Sequence, residues 1–284
     1  LEGGADIVFQ IGTAKYGVRD AEGKLDDERL RSIAAHGAVK MFEIKMSQGA
    51  KPGKGGILPG AKVTEEIAQI RGIPKGADSI SPNRHREAGN VAELLDLIAH
   101  VREVTGKPVG IKTVMGHLHA FEALFEEINR RGPESAPDFI TVDGGDGGTG
   151  AAPMPLIDNV GLTLREALPM LVDLRDRHGL KDRIPIIASG KLVTPGEVAW
   201  ALCAGADFIN SARGFMFALG CIQAMRCNKN TCPTGITTHN PKLQKGLHPP
   251  TKAERVANYA RSMGYEVGLI AHACGGHSPR ELSR

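Results

Sequence analysis

Three thiols crowd into one polar stretch. Cys221, Cys227 and Cys232 lie in "GCIQAMRCNKNTCPTG" (220–235) with the spacing C-x5-C-x4-C. Thiolates grouped in this way suit an iron–sulfur cage or a zinc ion, and without metal they read as small buried thiols. Zinc calls for a fourth ligand and usually pairs its cysteines more closely. His239 is available as that ligand, but it lies seven residues beyond Cys232. The chain has five cysteines, an odd number, which argues against a secreted disulfide framework and for reduced thiols in a cytoplasmic setting. Cys203 in "AWALCAGA" reads as core, and Cys274 in "HACGG" as a lone thiol near the chain end.

A second chemical feature is the turn "VDGGDGGTGAAP" (142–153), in which Gly144, Gly145, Gly147, Gly148 and Gly150 leave the backbone bare and Thr149 adds a hydroxyl. Such a turn can aim successive N–H groups at a phosphate. It lacks the Gly-Lys-Ser/Thr ending of a P-loop and is not followed by the tight helix of a dinucleotide fingerprint. Ser189-Gly190-Lys191 and Ala212-Arg213-Gly214 close the next two strand-like runs. Phosphate sites of barrel enzymes are commonly built from such late-strand loops. Lys112 in "GIKTV" ends an earlier strand, where a cation can offset negative charge on a reduced flavin or simply reach solvent. Arg84, His85 and Arg86 follow another strand-like run and read as an anion-binding or a solvated loop. His117 and His119 read as solvated or capping, and Trp200 as core.

These residues need a frame that brings strand ends together. Short apolar runs alternate with helical patterns: "DIVFQIG" (6–12), "MFEIKMS" (41–47), "PVGIKTV" (108–114), "DFITVDGG" (138–145), "IPIIASG" (184–190) and "ADFINSARG" (206–214) read as strands. "DSISP" (78–82) reads as a further short strand. Between them, Thr64 opens a predicted helix over 64–72, and Asn90 and Gly106 bracket another over 90–106. About six or seven strands alternating with helices imply βα units and a parallel sheet. The pattern fits a (β/α)8 barrel, and a doubly wound sheet satisfies the same periodicity.

Composition narrows the function. The 284 residues include 36 glycines, only 4% are aromatic, and the net charge is +3 with both signs interspersed. Few aromatics and no basic patch argue against a nucleic-acid partner. No run has the length of a transmembrane helix. The opening Leu-Glu-Gly-Gly is not an initiator sequence, so further residues are expected upstream, where an anchor or targeting signal would lie out of view.

Taken together, "EIKMSQGAKPGKGGILPGAKV" (43–63), "GGDGGTGAAP" (144–153) and the cysteine segment resemble, in this order, the FMN-binding synthase domain of the glutamate synthase family. The match runs from about residue 5 to about residue 245 and is nearest to the family's stand-alone FMN-binding members. The resemblance implies a (β/α)8 TIM barrel whose first strands lie upstream of Leu1. Residues 1–245 would form the barrel portion with the cysteine segment, and 246–284 a helical tail packed on it. It also implies FMN held by Asp143, Gly144, Gly147, Gly148, Thr149, Gly150, Ser189, Gly190, Lys191, Ala212, Arg213 and Gly214, with Lys112 at the flavin. Gln48, Lys51 and Arg71 would bind 2-oxoglutarate or its imine, with Lys112, Gln48 and Lys51 as the catalytic set. Cys221, Cys227 and Cys232 would hold a 3Fe–4S cluster.

The activity so implied is FMN-dependent reduction of 2-iminoglutarate to glutamate. Electrons would enter through the cluster from a donor protein or an NAD(P)H-oxidising subunit, and another chain is a candidate source of the first strands. The alternatives are a different FMN barrel enzyme acting on another 2-oxo or imino acid, and a non-catalytic electron-relay subunit. Two departures from the family pattern stand out: Ile57 replaces a Gln on the substrate side, and Thr141-Val142-Asp143-Gly144 replaces Gln-x-Ser-Gly at the flavin strand.

Overall fold

The computed structural model describes residues 3–284. In chain order its elements are β1 (Ile7–Ile11), α1 (Asp27–Ala34), β2 (Val39–Lys45), β3 (Ile57–Leu58), α2 (Glu65–Arg71), β4 (Ser79–Ile80), α3 (Val91–Thr105), β5 (Val109–Thr113) and α4 (His119–Arg131). They continue with β6 (Ile140–Asp143), α5 (Leu164–Arg177), β7 (Ile186–Ser189), α6 (Pro195–Cys203), β8 (Phe208–Asn210), α7 (Arg213–Leu219), α8 (Pro241–Gln244) and α9 (Pro249–Ala273).

Six parallel strands form one sheet in the order β1-β2-β5-β6-β7-β8. Neighbours in space follow the order of the chain throughout. A doubly wound sheet must reverse its strand order at a switch point, and none occurs here, so the wall is that of a (β/α)8 barrel. Phe42, Ile44, Val109, Ile111, Ile140, Val142, Ile186 and Ala188 point outward and are buried under the helix layer, against residues such as Leu95, Ile98, Phe125 and Leu168. The opposite face carries Gln10, Glu43, Lys45, Lys112, Thr141, Asp143 and Ser189. At the two edges this inner face is bare: Val8 is 41% and Phe208 53% exposed.

Helix ends follow local chemistry. The Asn90 side chain accepts from the Glu93 amide, and Gly106 closes α3 in the left-handed conformation. Thr64 caps α2, and Thr163–Glu166 and Thr194–Glu197 form capping boxes.

One expected strand has a different place. Residues 78–82 do not join the barrel; only Ser79–Ile80 is extended, and it pairs antiparallel with Ile57–Leu58 in a separate two-stranded ribbon. Ile80 is 65% exposed, so the run has no apolar face to bury. Residues 46–90 thus make one long excursion from the end of β2 to the start of α3. It carries the ribbon and α2 over the mouth side of the sheet. At the other end of the chain, α9 packs on α6 and α7, with Tyr259 against Phe215 at 5.0 Å. A Cβ at Gly214 would run into the Tyr259 ring, so this close approach requires glycine there.

Candidate active site

The C-terminal ends of β2, β5, β6 and β7 bring charges to one place. Register pairs Lys45 with Lys112, Lys112 with Thr141, and Asp143 with Ser189. Asp143 organises this layer: it accepts from Gly49 N at 2.9 Å and Ser189 Oγ at 2.8 Å, and it faces Lys112 Nζ at 3.6 Å. One layer deeper, Glu43 is buried between Gln10 Nε2 and Thr141 Oγ1, each 2.6 Å from a carboxylate oxygen. Burial holds Lys45 below the usual lysine range, and the neighbouring Lys112 adds to the effect.

The excursion beyond β2 forms the rim. Gln48 lines a cavity of about 120 Å³ with Gly12, Thr13, Lys45, Ser47, Lys54 and Asn83. Lys51 is buried beside it, and burial, then Lys54, push its pKa down. Arg71 does not line this cavity. Its guanidinium stacks 4.7 Å from the Tyr16 ring and donates to Ser79 Oγ at 2.9 Å. His85 is no solvated anion binder: it is fully buried, and its Nε2 lies 3.1 Å from the Lys45 carbonyl, under the end of β2.

The glycine-rich turn runs between the excursion and the cysteine segment. A Cβ on Gly148 would meet Ala50, and one on Gly150 would meet the Met225 carbonyl. Arg213 donates to the Gly148 carbonyl. Gly147 N donates to Asp158 Oδ1 at 2.6 Å, and Lys191 Nζ reaches the same oxygen at 3.5 Å. A backbone amide and an ammonium already converge on a carboxylate here, so this donor set fits an anion such as a flavin phosphate. Gly190 and Gly144 lie back to back where β7 and β6 end, and Ala212 precedes α7 without a side-chain cap.

Cys221, Cys227 and Cys232 line one small cavity together with Thr149, Arg213, Thr234 and Thr237. Burial disfavours the Cys232 thiolate, but the Thr234 hydroxyl at 3.4 Å and the nearby amides outweigh it and lower the pKa to about 6. The buried Thr237 hydroxyl faces the same thiolate and contributes to this stabilisation. Among the described residues no set of three ligands closes on a single metal ion. Three thiols that share a cavity but do not close on a single point fit a multi-iron cluster, whose irons are spread over several positions, better than a lone zinc.

Lys45 and Glu43 were not among the residues singled out from the sequence. Their signal was present: in "MFEIK" the apolar Phe42 and Ile44 alternate with charges, in a strand that a parallel barrel buries on both faces.

A sequence profile for a conserved region in glutamate synthase matches residues 1–277. The glutamate synthase large subunit-like protein YerD of Bacillus subtilis is 46% identical over the whole chain, which covers 54% of that protein. The archaeal glutamate synthase (NADPH) of Methanocaldococcus jannaschii is 36% identical over 97% of the chain and 51% of its own length. The chain thus spans about half the length of these relatives. Among solved structures, an arginine-to-lysine mutant of flavocytochrome b2 matches 97% of the chain and 52% of its own, with TM-score 0.54 and 16% identity. The flavin-binding domain of baker's yeast flavocytochrome b2 matches 90% of the chain and 49% of its own, at TM-score 0.51 and 14% identity.

Proposed function

The chain belongs to the glutamate synthase family, and we propose that it forms the synthase-type site of an FMN-dependent oxidoreductase that converts a 2-oxo dicarboxylate and ammonia, by way of the imine, to glutamate. The observation that carries this reading is a physical sequence of contacts. The excursion with Gln48 and Lys51 touches the glycine-rich turn at Ala50–Gly148, and that turn touches the cysteine segment at Gly150–Met225. When bound, FMN supplies hydride chemistry at a C=N carbon and a 3Fe–4S cluster supplies single electrons.

The protein's own groups have distinct tasks. Gly147, Lys191 and the Ser189–Gly190 strand end bind the phosphate, with Asp143, Gly144, Gly148, Thr149, Gly150 and Ala212–Gly214 shaping the flavin bed. Lys112, steered by Asp143, places positive charge at the ring. Gln48 and Lys51 orient the substrate at the rim. Lys45, with its lowered pKa, is the group suited to hold and move a proton at Nζ. Cys221, Cys227 and Cys232 would hold the iron, with an electron-donor protein or an NAD(P)H-oxidising subunit as the partner on that side. Further strands, from the same protein or a partner, cover the bare inner face at Val8 and Phe208.

An anaerobic visible spectrum with iron and sulfide assays tests the cofactors. Flavin bands with a broad shoulder and about three irons per chain are expected. Glutamate formed from 2-oxoglutarate, ammonium and a reduced donor tests the reaction. Flavin without iron would leave a plain flavin enzyme, and neither chromophore would overturn the reading.

Lys45 offers a finer check. Its lowered pKa makes it neutral, and reactive to acylating reagents, at a pH where an ordinary lysine is still charged. Lys112→Met removes a neighbouring cation and so raises the Lys45 pKa toward 10.5. The pH profile of Lys45 labelling, followed by peptide mass spectrometry, should move to higher pH. An unmoved profile would mean that the two lysines do not share a site.

A second reading concerns the substrate. Arg71 is engaged by Tyr16 and Ser79, and Ile57 offers no polar atom, so two of the groups expected to meet a distal carboxylate are withdrawn, and the cavity's own Lys54 and Asn83 remain beyond Gln48. A 2-oxo acid without that carboxylate would then be turned over with higher kcat/KM than 2-oxoglutarate in a substrate panel.

A further inference from the structure

One buried charge has no task in the reaction outlined above. Lys62 is only 9% exposed, and its ammonium donates to two backbone carbonyls, Cys227 O at 2.8 Å and Thr237 O at 3.0 Å. Both partners are far away in the chain, across 165 and 175 residues. Lys62 ends the short turn Gly60–Lys62 in the same excursion that carries Gln48 and Lys51. That turn is itself pinned, because Gly60 N donates to Asp78 Oδ1 at 2.6 Å and the Gly60 backbone packs directly on Gly76. The lysine is therefore presented to the cysteine segment by a fixed support.

Charge balance makes the arrangement informative. A buried ammonium is costly unless an anion compensates it. Among the described residues no carboxylate forms an ion pair with Lys62; its partners are two neutral carbonyls. Those carbonyls belong to Cys227, one of the three thiols, and to Thr237, which lines the cavity the thiols share. The nearby anion that would compensate the charge is the thiolate-bound cluster.

We propose that Lys62 is a positioning residue of the iron–sulfur site. Its charge provides a fixed positive field at the three thiolates, and its two hydrogen bonds tie the substrate-bearing excursion to the segment that receives electrons. The inference rests on the cluster reading above. Reduction adds negative charge to the cluster, so the Lys62 field favours the reduced state. The same two hydrogen bonds clasp the two loops at one point.

The test is a redox titration of the purified, anaerobically reconstituted protein, monitored by electron paramagnetic resonance, after iron and sulfide have been assayed. Lys62→Gln keeps an N–H donor but no charge, Lys62→Met removes both, and Lys62→Arg keeps both. In K62Q and K62M the ratio of reduced to oxidised cluster at a fixed ambient potential is expected to fall about tenfold, which is 59 mV for a one-electron couple. K62R should stay with the wild type. If K62M does not fold, K62Q still decides the matter. Potentials of K62Q or K62M equal to wild type, or a K62R shift as large as that of K62Q, would overturn the inference while leaving the cluster in place. A wild-type protein that takes up no iron would instead overturn the underlying reading, and the iron assay shows this before any potential is measured.

Discussion

The glycine-rich turn and the cysteine segment meet at Gly150, and they reach their shapes by opposite means. In the turn, Gly147 and Gly148 adopt φ of +96° and +129°, which side-chain-bearing residues avoid. Gly145 is pressed against the Gly161 carbonyl so closely that no Cβ fits. The cysteine segment also has left-handed backbone, but at Gln223, Met225 and Asn230, with φ of +54°, +53° and +58°. At Gln223 and Met225 this costs about 1–2 kcal/mol each, whereas Asn230 is a residue type that tolerates it. That cost is met from outside the local sequence. Thr238 Oγ1 donates to Asn230 O at 2.6 Å, His239 N donates to Asn230 Oδ1 at 2.7 Å, and Lys62 holds the Cys227 and Thr237 carbonyls. One segment has a shape set by its own residue types. The other is held in a strained shape by its neighbours, as functional loops often are.

The contrast breaks most visibly at Gly145. Gly145→Ala must displace backbone at Gly161, and we expect a loss of about 3 kcal/mol, the upper end for overpacking, read as a shift in the urea midpoint. A variant as stable as the wild type would mean that the turn yields, and the contrast would fail.

Asn230 is the corresponding test in the cysteine segment. Asn230→Ala loses the side-chain acceptor for His239 N and takes on the left-handed cost that Asn tolerates, for about 2 kcal/mol. Asn230→Gly loses the same acceptor but relieves the backbone, so about half that loss is expected. Equal destabilisation by the two variants would show that backbone conformation is not what the neighbours support there.

The smallest effect concerns Asp158, which occupies the Gly147 amide and the Lys191 ammonium. Asp158→Ala frees the amide and leaves Lys191 with only its longer contact to Asp146 Oδ2 at 3.9 Å, and FMN should bind about fivefold more tightly by equilibrium titration, equivalent to about 1 kcal/mol. Weaker binding would mean that Asp158 shapes the turn and does not compete with the ligand.

Much of the frame was legible in the sequence because its causes are local. Asn90 and Gly106 mark the ends of α3 through a side-chain cap and a left-handed glycine. The apolar runs from "MFEIKMS" to "IPIIASG" became neighbouring parallel strands. Where propensity misled, packing supplied the answer: 78–82 has strand-forming residues but no sheet neighbour except the two residues of β3. His85 sits between two arginines in a loop-like run, yet it fills a buried position under the Lys45 carbonyl.

By itself the sequence determined which chemistry was available. Three cysteines at C-x5-C-x4-C, a turn rich in glycine and a lysine at a strand end are statements about residue type and spacing, which short-range geometry preserves. Tertiary structure alone decided what those groups face. Asp143 became the hub of Gly49, Lys112 and Ser189 because β2, β5, β6 and β7 lie side by side in register. Arg71 turned to Tyr16 because α2 and the loop after β1 meet across the ribbon. Lys62 reached Cys227 because a pinned turn from one end of the chain lies against a loop from the other. Such contacts join residues scores of positions apart, and they form only when the packing of the sheet against its excursions leaves the side chains no other place to go.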